Sequence, residues 1–178
     1  MLSGDLHRLC GYHLSGVVSA EGRVRVLGID FGEKRIGLAI SDPEGRMALP
    51  LTTLVRHDDR SAMAAIAEIA LREGVGRLVL GEPVRLDGSR GPAAERVRRF
   101  GRRLAARTGL PLGFVDESLT SVEAAARLRA AGIDPRRVPE RIDAAAAQIL
   151  LQEDLDRGAA PDLKERSGQE VGEKVGEN

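Results

Sequence analysis

Cysteine and aromatic residues are scarce in this 178-residue chain, and each shortage removes a class of chemistry. The single cysteine, Cys10, cannot form an intrachain disulfide and has no neighbours at metal-ligand spacing, so redox and zinc chemistry are not expected. Aromatics are 2% of residues, which leaves no platform on which bases could stack. No apolar run approaches the roughly 18 residues that a membrane span needs. Asp5 and His7 stand where a signal peptide would carry positive charge, so the chain reads as cytoplasmic, with no membrane partner. His7, His13 and His57 are scattered, with no G-x-S-x-G nucleophile signature near them. Neither G-x-G-x-x-G nor G-x-x-x-x-G-K-[ST] occurs, which argues against dinucleotide and P-loop sites.

With 42% hydrophobic and 30% charged residues, the chain has the material for one ordinary domain. The formal net charge is zero but unevenly spread. Residues 90–107 hold seven arginines against Glu95, whereas residues 153–178 hold eight acids against four bases. A cationic face on a neutral protein suits a polyanion bound through its phosphates, although a solvated helix face has the same pattern.

Residues 1–22 show no sustained period, and residues 158–178 lack apolar positions that could pack; both read as flexible extensions of a domain over 23–157. Within it, residues 23–31 (RVRVLGIDF) and 35–41 (RIGLAIS) read as strands of an antiparallel hairpin around the turn 32–34, with a third strand over 47–54. Asp58 and Asp59 are N-cap candidates for a helix burying Ala62, Ala65, Ile66 and Ile69 and ending near Gly74. A strand over 77–80 precedes a turn-rich loop and an arginine-rich helix from Pro92, and another strand covers 112–115. Thr120 and Glu123 form a capping box for a helix stopped by Gly132. The last helix runs over 139–156, with Ile142, Ala145, Ala146 and Ile149 as its expected apolar face. The order predicts an α/β layered domain with a mixed sheet.

Three acidic positions end apolar elements, where a carboxylate is costly unless paired or metal-bound. Asp30 lies between Gly28 and Gly32, which leave room for a ligand, yet an aspartate before a turn can simply cap it. Asp116 and Glu117 end another strand; neighbours on a strand point to opposite faces, so only one of them can share a centre with Asp30. Asp143 starts the last helix ahead of four alanines that permit close packing, a place where acids also serve the helix dipole. Together, such hard oxygen donors suit Mg²⁺ or Mn²⁺ and phosphodiester hydrolysis. In the arginine helix, Val97, Phe100 and Leu104 mark the buried stripe, and Arg98, Arg99, Arg102 and Arg103 are expected on the opposite half, available to phosphates. Ser89 and the amides after Gly91 are further candidates for phosphate contact.

The segments RVLGIDFGEKRIGLAISDPEG, LVLGEPVRLDGSRGPAAERVRRF, VDESLTSVEAAARLRAAG and RIDAAAAQILLQEDL resemble, in order, the four blocks of the YqgF family of pre-16S ribosomal RNA nucleases, also called Holliday-junction-resolvase-like proteins, over residues 24–157. The resemblance implies an RNase H-like fold, catalysis by metal-binding Asp30, Glu117 and Asp143, and a nucleic-acid-facing surface formed by Lys34, Arg35 and the loop from Leu86 to Ser89. It also selects Glu117 over Asp116. Two positions depart from the family pattern: Ser118 replaces an arginine, and Glu82 stands where an apolar residue is usual.

The resulting expectation is a divalent-metal nuclease acting on pre-16S rRNA, as a monomer or homodimer. A resolvase of branched DNA is the rival within the same chemistry. An RNA- or transcription-complex-binding domain that does not cut is the alternative of another class. GIDFG also resembles the first phosphate segment of actin-like kinases, but those close a second large domain over the nucleotide, for which this length leaves no room.

Overall fold

The computed structural model describes residues 24–84, 89–116 and 139–158. Strand β1 (Arg25–Phe31) turns back through residues 32–34 into β2 (Arg35–Ser41), and the pair is antiparallel in the register Leu27↔Ile40 to Phe31↔Ile36. The turn closes with the Gly32 amide donating to the Arg35 carbonyl at 3.0 Å, an approach that a side chain at Gly32 would block. Strand β3 (Ala48–Val55) lies antiparallel to β2 at the sheet edge, where Pro50 withholds a donor without harm. Strands β4 (Val75–Glu82) and β5 (Leu112–Asp116) add in parallel on the other side of β1, giving the order β3-β2-β1-β4-β5. This is the mixed sheet expected from the element order.

Parallel neighbours require crossovers, and two helices supply them. Helix α1 (Asp59–Arg72) starts where Asp58 accepts the Ser61 amide at 2.8 Å, and Gly74 follows its end at φ 65°. Helix α2 (Pro92–Thr108) opens on its proline and ends at left-handed Gly109. Both cover one face of the sheet. There Leu27, Ile29, Ile36, Leu38, Leu78 and Leu80 meet Ile66, Val97, Phe100 and Leu104 in the main core. Phe100, 1% exposed, contributes roughly 3 kcal/mol of burial by itself.

Helix α3 (Pro139–Asp156) covers the opposite face, where Ala147, Leu150 and Leu151 pack on Val26, Ala39, Val79 and Val115. This corrects the expected apolar face. Ile142 and Ala145 are only half-buried, whereas Ala146 and Ile149 are buried as expected but in a small cluster apart from the sheet contact. The helix is apolar on nearly every side from Ala144 to Leu151, so periodicity cannot select the side that meets the sheet. The observed row continues to Asp154, which is buried against Arg77 of β4, and back at four-residue spacing to Asp143. Residues 1–22, the capping box at Thr120 and Glu123 with its helix, and the tail from 159 onward lie outside the described residues. None of the described helices is long and apolar enough to cross a membrane.

Candidate active site

Strand alternation puts Val26, Gly28 and Asp30 of β1 on the α3 face, together with Gly37 and Ala39 of β2. Two glycines let the helix settle there. A Cβ on Gly37 would stand 2.0 Å from the Asp143 carbonyl oxygen, and one on Gly28 would stand 2.7 Å from Leu151 Cβ. The backbone of α3 therefore rests directly on β2 at Asp143. Gly37 is the ladder partner of Asp30, so two sequence-distant acids, Asp30 and Asp143, converge at one end of the sheet. Both are half-buried.

Glu117 lies outside the described residues, as does Ser118. Among the described residues no three histidine, cysteine or acidic side chains gather as a metal-ligating group, and only two of the three expected acids belong to that set. Val115 faces α3, so Asp116 is on the α1/α2 face, paired in register with Glu82 and away from Asp30. Asp116 is thus not on the face of Asp30, a choice that alternation had left open.

Arg35 shares the α3 face with Gly37, and its Nε donates to Asp143 Oδ2. Lys34 is exposed at the tip of the β1–β2 turn. That turn is clamped by Arg56, a residue that sequence reasoning missed. The Arg56 amide donates to the Lys34 carbonyl at 2.9 Å, Nη1 donates to the Glu33 carbonyl at 2.8 Å, and Nη2 reaches Asp59 Oδ1 at 2.6 Å. Its guanidinium also lies 4.6 Å from the centre of the Phe31 ring. Only the assembled tertiary structure reveals this role, because the partners come from β1, the β1–β2 turn and the start of α1.

The arginine helix divides. Arg99, Arg102 and Arg103 are exposed, and Arg103 makes a distant 3.8 Å pair with Asp59. Arg98 does not share their solvent face, contrary to expectation. It donates to Glu82 at 2.5 and 3.0 Å and lies 4.8 Å from the centre of the Phe114 ring. Glu82, 3% exposed, explains the turn inward, and Arg90 approaches the same carboxylate at 3.1 Å. Burial by itself pushes the Glu82 carboxyl up, but the hydrogen bonds and charges of Arg98 and Arg90 outweigh it and hold the group below its ordinary range. The departure at Glu82 is therefore accommodated by an ion pair.

Arg90 also bridges antiparallel to Val84, closing the base of the loop that carries half-buried Ser89; Leu86 to Gly88 lie outside the described residues. Arg96 reaches Glu33 at 3.4 Å, which brings the N-terminal half of α2 beside the clamped turn. Acids, turn and the N-terminal half of α2 thus share one end of the sheet, the acids on its α3 face and the helix on the other.

A family model for RuvX, described as Holliday junction resolvase, matches residues 24–157. A curated protein of Chloroflexus aggregans is 46% identical over 136 residues, spanning 76% of this chain and 96% of its own length. A second, from Anaeromyxobacter dehalogenans, is also 46% identical over 136 residues, spanning 76% of this chain and 99% of its own length. Both bear the name "Putative pre-16S rRNA nuclease". Among solved structures, RuvC of T. thermophilus in complex with a Holliday junction substrate superposes with a TM-score of 0.52 at 17% identity, covering 78% of this chain and 99% of RuvC. A likeness at that identity concerns the fold, which is RNase H-like.

Proposed function

The chain belongs to the RuvX family, and from that premise we propose that it is a metal-dependent nuclease that hydrolyses phosphodiester bonds, with precursor 16S rRNA as its cytoplasmic substrate. The observation that carries the reading is the seating of Asp143 over Gly37, the ladder partner of Asp30. Two half-buried carboxylates on one face, with Gly37 beneath the helix at Asp143, make a hard-oxygen donor set that fits Mg²⁺ or Mn²⁺. Asp30, Glu117 and Asp143 are the proposed ligands. Glu117 joins them through the family pattern and because alternation directs its neighbour Asp116 to the other face. A divalent ion held by these residues would supply an activated water and offset charge on the leaving oxygen.

The remaining work falls to the chain itself. Lys34 and the exposed Arg99, Arg102 and Arg103 hold substrate phosphates, with Ser89 at the start of the arginine helix as a further contact. Because such contacts read backbone rather than bases, selectivity must come from the shape of the substrate. The test is cleavage of a precursor 16S rRNA fragment by wild type and by Asp30→Asn in Mg²⁺ and in Mn²⁺. Asp30→Asn should keep the fold and RNA binding while losing at least about a hundredfold in rate, since the amide preserves shape but not charge. Wild-type turnover in that variant would remove Asp30 from the chemistry. The description of the matching family favours a second reading, a resolvase. Preferential cutting of four-way DNA junctions over the RNA would establish it.

A further inference from the structure

We infer that Arg35 is the internal counter-cation of the acid site: its guanidinium holds Asp143 when no metal is present and must yield it to a divalent cation. The inference rests on the proposed metal site. Arg35 opens β2 on the same face as Gly37, and the glycine allows α3 to come down until Asp143 meets the Arg35 Nε. Converging carboxylates repel one another, and a permanently charged guanidinium relieves that repulsion without a metal. The arrangement is suited to exchange rather than permanence. The Arg35 side chain is 39% exposed and that of Asp143 21%, so solvent weakens the pair, in contrast to Arg77 and Asp154 at 11% and 4%. The guanidinium occupies Asp143 Oδ2, and beside an ion bound to either carboxylate oxygen it would stand as a like charge. Arg35 therefore sets the threshold for metal loading as a positioning residue.

Calorimetric titration of the full chain with Mn²⁺ tests this directly and does not depend on activity. Arg35→Gln should bind Mn²⁺ roughly fivefold more tightly than wild type, the scale of a partly exposed ion pair, while its metal-free form melts lower because Asp143 has lost its partner. Arg35→Lys keeps the charge without the planar fork and should fall about midway; it serves as the reporter if the glutamine variant fails to fold. Asp143→Asn should abolish the binding. Unchanged or weaker Mn²⁺ affinity in the Arg35 variants, with Asp143→Asn still abolishing uptake, overturns the counter-cation and leaves the metal site standing. If wild type takes up no Mn²⁺, or Asp143→Asn binds as wild type does, the acid-site reading falls and the inference falls with it.

Discussion

Replacing Glu82 with glutamine should cost this domain about 2 kcal/mol. Removing one partner from a buried ion pair typically costs about 3–5 kcal/mol, because the other charge is left desolvated. Here the loss is smaller. The Arg98 side chain keeps 22% exposure and its stacking on Phe114, and Arg90, at 56%, moves into water at little cost. At roughly 3–5 °C per kcal/mol for a domain of this size, the melting temperature should drop by about 6–10 °C. Urea unfolding with an unchanged slope is the cleaner assay. The same logic makes a sharper demand: Glu82→Leu combined with Arg98→Met removes both charges and should fall within about 1 kcal/mol of wild type. Acid adds a third check. A carboxyl held below its unfolded value of 4.5 contributes fully above that pH, and the contribution is lost as pH falls through the lowered folded value. The gap between wild type and Glu82→Gln should therefore narrow below about pH 4. A single variant as stable as wild type, or a double variant as unstable as the single, would refute the reasoning.

Gly37→Ala should destabilise by about 3 kcal/mol or more and loosen the site, because its Cβ would overlap the backbone of Asp143 rather than a side chain that can move aside. Gly113→Ala is the control, with nothing nearer than 3.5 Å, and equal melting temperatures for the two would discount the close approach. Changing Arg99, Arg102 and Arg103 together to glutamine should weaken RNA binding at every sequence and flatten its salt dependence by up to about three phosphate contacts, with stability nearly unchanged. An unaltered salt slope in filter binding would identify the helix face as merely solvated.

The strands and the two crossover helices were legible because each is specified locally. The β1–β2 turn contains a glycine, Asp58 caps α1, Pro92 opens α2, and the buried stripe of Val97, Phe100 and Leu104 was read correctly. What was not legible involved partners far apart in the chain. Arg98 looked like one more solvent-facing arginine until Glu82, sixteen residues earlier, captured it; an arginine row cannot reveal which member has a buried carboxylate within reach. The face of α3 was misread because Ala144 to Ala147 and Ile149 to Leu151 are apolar all round.

That misreading bears on the site. With the expected face inward, Asp143 would sit at the edge of the contact; with Ala147, Leu150 and Leu151 inward, it falls on the contact row itself. The feature that selects between these rotations is the pair Gly28 and Gly37, where the sheet has no side chains to hold the helix away. A larger residue at either position would lift α3 and carry Asp143 off the strands that present Asp30. The glycines on β1 and β2 therefore determine where an acid 113 positions further along the chain meets Asp30, and the register Asp30↔Gly37 couples the packing of the helix to the geometry of the proposed chemistry.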